Sequence, residues 1–351
     1  MRPTLLLSLL SCSLAAHAET FCVSSATSFA NALLAAQSNN SSDDIRLKPG
    51  NYAAPSGGFA MNISQSGETR ISGGWQDRQI GNLLIPCDSQ PHTAWQTTID
   101  GHFDEPGLHI NITAASASLQ IDRLTFANGI ATLYGGGLDV RYTPGNSTSV
   151  EIADNVFRNN HAGYGGGLRA EASSYLAVHN NLIALNSCEF HYCGALLTID
   201  DGGTAHVVNN TIVDNTHIFS TGLGGLALVG AGAGWLVNNL AWGSSNVDLV
   251  LNDLNTPFLM YHNAFGVLAG TPDAVSSGNL ILQDPVFEPG LFNYRISRES
   301  PLVDRGVSGL HVPYSDTDLD GLDRLIGPEI DIGAFENDLL ISDGFDPNGI
   351  F

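Results

Sequence analysis

Six segments of this chain repeat one pattern at nearly even spacing, and that repetition limits the fold more than any other feature. They begin at Ile121, Ile152, Val178, Val207, Leu236 and Met260. The fourth position of each reads Leu124, Asn155, Asn181, Asn210, Asn239 and Asn263, in steps of 31, 26, 29, 29 and 24 residues. A second marker runs in phase. It reads Tyr134-Gly-Gly-Gly-Leu138, Tyr164-Gly-Gly-Gly-Leu168, Tyr192-Cys-Gly-Ala-Leu196 and Gly222-Leu-Gly-Gly-Leu226, in steps of 30, 28 and 30. Helical repeats do not fit, because the segments alternate at period two and carry Gly and Asn inside. Propeller blades need about 40 residues each. A coil of three short strands and three bends fits, stacked on the next at about 4.8 Å. The expected fold is all-β, a right-handed parallel β-helix.

The asparagine column then has a physical cause. Asn tolerates the left-handed backbone of a sharp bend, and stacked amides hydrogen-bond along the axis as an interior ladder. Alternation after each Gly bend points Leu138, Val140, Leu168, Ala170, Leu196, Leu226 and Leu228 inward. It points Asp139, Arg141, Arg169 and Glu171 outward, with Asp139 beside Arg169 and Arg141 beside Glu171 as opposite-charge neighbours.

The first residues bound the compartment. Arg2, the apolar run Leu5–Leu10 and Ala16-His17-Ala18 make a secretory signal peptide over 1–18. Lipoprotein processing at Cys12 is the rival reading. Residues 19–95 then form an N-terminal cap and first coils, 96–270 the β-helix, 271–336 a C-terminal cap and 337–351 a tail. Four cysteines remain in the mature chain, an even number that favours disulfides in an exported protein. Cys188 and Cys193 are five apart and pair across one loop, which leaves Cys22 with Cys87. No segment is long enough for a membrane span. The net charge of −22, with Lys48 the sole lysine, excludes nucleic acid and anionic lipid as natural partners. It also disfavours a polyanionic glycan unless calcium or local arginines intervene.

Open solenoid ends need covers. Residues 28–37 read as a short amphipathic helix with Phe29, Leu33 and Ala36 on one side and Thr27 or Ser28 as cap, a plug ahead of the coils. Strands are expected near Ile45–Leu47 and Arg70–Ser72.

At this point the residues carry a resemblance. Phe21-Cys22-Val23, Asp44 to Tyr52, Ile71-Ser72-Gly73-Gly74-Trp75, Cys87 and Thr98-Ile99-Asp100-Gly101 occur in that order. The tail adds Asp318-Leu319-Asp320-Gly321-Leu322-Asp323-Arg324 and Ile330-Asp331-Ile332-Gly333-Ala334-Phe335-Glu336. The chain resembles the pectin-lyase-like β-helix superfamily, and within it the bacterial surface or secreted proteins termed choice-of-anchor Q. Many of those have no assigned activity. Ile341 to Asp346 resembles a terminal motif on secreted proteins of some Gram-negative bacteria.

The superfamily includes polygalacturonases and polysaccharide lyases, so the resemblance implies their catalytic residues as candidates. Asp200-Asp201 supplies an adjacent acid pair, but an Arg-x-Lys is absent. Arg141 and Arg169 could serve a lyase. The most suggestive group is the loop Cys188-Glu189-Phe190-His191-Tyr192-Cys193, with Asp200, Asp201, Asp214 and His217 in neighbouring coils. Under an enzymatic reading, Asp200 or Asp201 acts as acid or base with Glu189 or His191 as partner. Under a binding reading, Phe190 and Tyr192 stack a sugar, with Arg169, Asp214 and His217 around them. A stapled surface loop with solvated acids is the plainer alternative. Asp316-x-Asp318-x-Asp320-Gly321 resembles the start of a calcium loop, although its twelfth position is Gly327 and not Glu. No cofactor is required. The sequence favours a non-catalytic secreted or surface protein that binds polysaccharide or cell-surface glycan, with a polysaccharide lyase or glycoside hydrolase as the alternative.

Overall fold

The computed structural model describes residues 18–39, 41–91, 94–200, 202–219, 222–230, 232–252, 258–271 and 275–337. The signal segment, the terminal motif from Ile341 and Asp201 lie outside the described residues. Three long sheets run the length of the described chain, and every pairing within them is parallel. Sheet 1 holds nine strands from Glu19–Val23 to Phe258–Tyr261, sheet 2 nine from Gly50–Ala53 to Leu280–Ile281, and sheet 3 eight from Phe59–Ile63 to Leu268–Ala269. Each coil visits the sheets in that order and rises one strand, a right-handed parallel β-helix.

The interior follows the period-two pattern. Ile121, Ile152, Val178 and Val207 from sheet 1 meet Leu138, Leu168 and Leu226 from sheet 3 in one continuous core. The helix Ala26–Ala36 plugs its N-terminal end, burying Phe29, Ala32, Leu33 and Ala36. Its cap is Ser25, earlier than expected, because Ser25 and Ser28 form a reciprocal capping box. Disulfides join Cys22 to Cys87 and Cys188 to Cys193.

The ladder exists and is longer than the repeat suggested. The Asn155 Nδ2 donates to Asn181 Oδ1 at 3.2 Å, Asn181 to Asn210 at 2.9 Å, Asn210 to Asn239 at 2.9 Å, Asn239 to Asn263 at 2.9 Å and Asn263 to Asn279 at 3.0 Å. The left-handed backbone falls one residue earlier than expected, on Asp154, Asn180, Asn209, Asn238 and His262. The paired asparagines therefore divide the work. The first turns the chain and faces outward; the second faces inward and binds the next coil. A second ladder, Asn160–Asn186–Asn215, runs through the bend after sheet 2, with 3.0 Å at both steps.

The outward asparagines hold the C-terminal segment. Asn180 Nδ2 donates to Thr317 O at 3.1 Å, Asn209 Nδ2 to Gly333 O at 3.3 Å and Asn238 Nδ2 to Val307 O at 3.1 Å. This strap lays Tyr294, Ile296, Leu302, Leu319, Ile332 and Phe335 over the outer face of sheet 2 and forms a second core with Leu182, Val213 and Leu240. The Asp-Ile-Gly-Ala-Phe-Glu segment is thus a docking element. Its Glu336 receives the buried Arg324 guanidinium at 2.9 Å.

Candidate functional site

Sheet 2 is covered, so functional side chains must be sought at the other faces and corners. One corner departs from the regular coil. A three-stranded sheet, His161–Tyr164, Ser187–His191 and Thr216–His217, is inserted between sheets 2 and 3. Ala162 pairs with Cys188 but Tyr164 pairs with His191, so the loop strand carries one extra residue. Such a bulge re-aims side chains.

That extra residue shifts the expected register. His191, not Tyr192, lies opposite Tyr164. Tyr192 takes the left-handed position held by Gly135 and Gly165. Ala195, not Leu196, pairs with Leu168 and Leu226. Leu196 therefore faces outward beside Arg169, contrary to the sequence reading, and Leu197 is buried.

The bulge and the disulfide hold Phe190 at the surface, 43% exposed. Its ring lies against Gly163, where an added Cβ would come within 2.9 Å of it. Tyr134 and Tyr164 stack at 5.6 Å, and Phe190 continues the row 5.1 Å from Tyr164. His191 lies 6.4 Å from Tyr164 and 6.1 Å from His217. His217 is buried, with Nε2 2.6 Å from Phe190 O, and so braces the loop from below. Glu189 is exposed, and its carboxylate lies 3.9 Å from His161 Nε2.

Beside this row, the outer face of sheet 3 carries a polar cluster. The buried Asp139 carboxylate is 3.0 Å from His109 Nδ1, accepts from Arg141 Nη2 at 2.5 Å and from Arg169 Nη1 at 3.3 Å. The Arg169 and Arg141 guanidinium groups lie 4.0 and 5.1 Å from the centre of the Tyr134 ring, within cation–π range. Arg141 bonds Asp139 on its own strand and Glu171 bonds Arg169, while Arg141 and Glu171 lie as opposite-charge neighbours, as expected. Burial pushes the Asp139 carboxyl up, but the bonds from His109 and Arg141 and the arginine charges bring it below its ordinary value. Burial pushes Glu171 up, and Arg169 only partly offsets this. Two nearby carboxyls are thus driven in opposite directions. His109 was not singled out from sequence, because it precedes the first Gly-Gly-Gly marker; its place opposite Asp139 emerges only from the register.

The remaining expected residues lie elsewhere. Asp200 follows the strand Ala195–Ile199, which at about 3.3 Å per residue puts it roughly 16 Å from Ala195, at the strand's far end from the loop, bonded to Tyr142. Asp214 is exposed beside the strap, where Tyr294 Oη donates to it at 2.9 Å. Neither joins Glu189 and His191. Asp318 accepts from the amides of Asp320, Leu322 and Glu336 at 2.9, 2.8 and 2.9 Å. Asp320 holds Arg295 at 2.5 and 2.6 Å. These internal bonds engage both carboxylates, and Asp316 does not gather with them into a three-ligand group among the described residues. Cys22, Asp77 and Cys87 do gather, but the disulfide removes both thiolates.

No protein-family model matches the chain, and no curated protein is significantly similar to it. Among solved structures, the chain is similar to a crystal structure of pectate lyase Pel9A at 13% identity and a TM-score of 0.44, over 93% of this chain and 98% of that one. The sheets define the class of protein, a parallel β-helix; the likeness adds nothing about the site. No described helix is long and apolar enough to cross a membrane.

Proposed function

We propose that this chain is a secreted or cell-surface polysaccharide-binding protein that uses the corner beside sheet 3. The observation that carries the reading is the row Tyr134–Tyr164–Phe190, with rings 5.6 and 5.1 Å apart and kept open to solvent by a bulge and a disulfide. Tyr134 and Tyr164 stack on each other, so the exposed Phe190 at the end of the row is the ring available to a sugar, and the row runs along the axis a polysaccharide chain would follow. His109, Arg141, Glu189 and His191 supply the polar rim, and Tyr192 backs the loop. A covalently closed loop lowers the ordering cost of binding. The two disulfides suit an oxidising compartment, in line with export and with the choice-of-anchor Q resemblance. Affinity electrophoresis in gels containing single polysaccharides tests the reading. Retardation of the wild type that is reduced in Phe190→Ala is the expected result; retardation untouched by that change would refute it. Chelation by EDTA should leave retention unchanged.

A second reading, a lyase or hydrolase, is favoured by one observation. Asp139, itself buried, and its half-buried neighbour Glu171 have carboxyl groups pushed apart in pKa on the outer face of sheet 3, a pattern of acid–base pairs. It moves the reacting groups from Asp200 and Asp201 to His109, Asp139 and Glu171. Release of reducing or unsaturated ends by the wild type, abolished in His109→Gln, would establish it.

A further inference from the structure

With sheet 2 covered and the corner site beside sheet 3, sheet 1 is the remaining long face. Its central outward row reads Arg70, Gln120, Glu151, Ala177, His206 and Trp235 over successive coils. The row is ionic at one end and aromatic at the other. Tyr175, His206, Trp235 and Tyr261 are all partly exposed. Their rings follow one another at 5.4, 6.3 and 6.0 Å.

The ionic end is a cleft of about 180 Å³ lined by Arg70, Gln120, Arg123, Glu151, Asp154 and His179. Two of its nitrogens have no hydrogen-bond partner, Arg123 Nε and His179 Nδ1. The His179 side chain is only 6% exposed. Its Nε2 lies 3.0 Å from the Glu151 carboxylate, so that edge of the ring is engaged and Nδ1 is left without a partner. The walls of the cleft thus contain two unmatched nitrogens, both buried, beside carboxylates. Sugar hydroxyls, which donate and accept through one oxygen, complement that set. Ala177 separates Tyr175 from His179 on one strand, so the cleft and the aromatic row meet over a small side chain.

We infer that sheet 1 is a second saccharide-binding face, holding an uncharged polysaccharide along the helix axis with one sugar in the cleft and its neighbours on the Tyr175, His206 and Trp235 rings. The carboxylates of Glu151, Asp122 and Asp154 and the net charge of −22 disfavour a polyanion there. This site is separate from the corner, so one molecule would hold two chains and bridge them.

The test is affinity electrophoresis of the whole mature chain in gels containing xyloglucan, galactomannan or mixed-linkage glucan, with polygalacturonate as the anionic probe. Trp235→Ala and Arg123→Gln should each weaken retention in a neutral gel about tenfold, as loss of an aromatic or arginine anchor does. Trp235→Phe should keep most of it, and Phe190→Ala should leave a residual retention that Trp235→Ala then removes. Melting curves check folding, and if Trp235→Ala fails to fold, Arg123→Gln and Trp235→Phe carry the test. Neutral-gel retention lost in Phe190→Ala but unchanged in Trp235→Ala and Arg123→Gln overturns the second face and leaves the corner reading intact. Retention confined to polygalacturonate overturns the ligand class. No retention in any gel overturns both.

Discussion

Polar side chains crowd two regions of this molecule, and they are matched in opposite ways. In the bend after sheet 1, each ladder amide bonds the coils on either side, and the outward asparagines bond the strap. At the corner beside sheet 3, the imidazole of His109 and the side chains of Arg141, Glu189 and Phe190 keep open edges to solvent. Residue type does not separate the two regions; the partners do. A buried amide whose every bond is internal holds the solenoid together, whereas an exposed group braced from behind is available to a ligand.

The largest effect should come from the ladder. Asn181 accepts from the backbone and side chain of Asn155 and donates to Ile152 O and Asn210 Oδ1. Asn181→Leu leaves these buried groups unmatched, at about 1–3 kcal/mol per group, so a total loss of about 3 kcal/mol or more is expected by urea denaturation. Asn146, half-buried in a loop with one side-chain bond, to Thr113 O, should cost little as Asn146→Leu. Equal losses at both positions would erase the distinction drawn above.

The strap gives the next effect, through pH. Burial pushes the Glu336 carboxyl up to about 8, and Arg324 only partly offsets it. Burial likewise raises Asp318 and Asp331 to about 6. A carboxyl with a raised folded pKa favours the fold when protonated. Its contribution is therefore full below about 4.5 for Glu336 and is lost as pH rises through about 8, at no more than about 1.4 kcal/mol per pH unit for one proton. Glu336→Gln should remove this slope, so its melting temperature should gain on that of the wild type between pH 5 and 8. A constant difference between the two across that window would show that Glu336 is ionised throughout.

These two regions were unequally legible in the sequence. The first ladder was plain because five of the six repeated segments carry its asparagine. The second, Asn160–Asn186–Asn215, carries the same steps of 26 and 29 as Asn155–Asn181–Asn210, five residues later, and that echo was available. The strap's role was hidden because its partners, Asn180, Asn209 and Asn238, look like part of the ladder until the left-handed backbone separates them. The corner was harder. One bulged residue between Cys188 and His191 displaced the alignment and turned Leu196 outward. The wide separation of Asp200 from Glu189 follows from strand length, which a motif search does not see.

A smaller loss should follow from opening the loop. Cys188→Ala with Cys193→Ala removes closure of a short segment, worth about 2 kcal/mol in a chain-entropy account. Melting should fall by less than for Asn181→Leu, while retention on a polysaccharide gel should fall markedly, because Phe190 loses its bracing. A double variant that binds as well as the wild type would show that the loop needs no staple to present its ring.

The smallest effect on stability, and the most informative, belongs to Phe190→Ala. The ring is 43% exposed and touches Tyr164 and the backbone at Gly163, so truncation opens no cavity in the core. Stability should change by no more than about 0.5 kcal/mol, as for other surface positions. Retention should nevertheless fall about tenfold or more, because an aromatic anchor at the centre of a site carries a large share of its affinity. The two readouts together decide how the corner is built. A stability loss approaching that of Asn181→Leu would make Phe190 a structural residue and merge the corner with the ladder region. Unchanged stability with unchanged retention would leave an exposed ring without a ligand. Unchanged stability with reduced retention is the outcome that keeps the regions distinct, since only a side chain matched by something outside the molecule can be removed at no cost to the fold and still be missed.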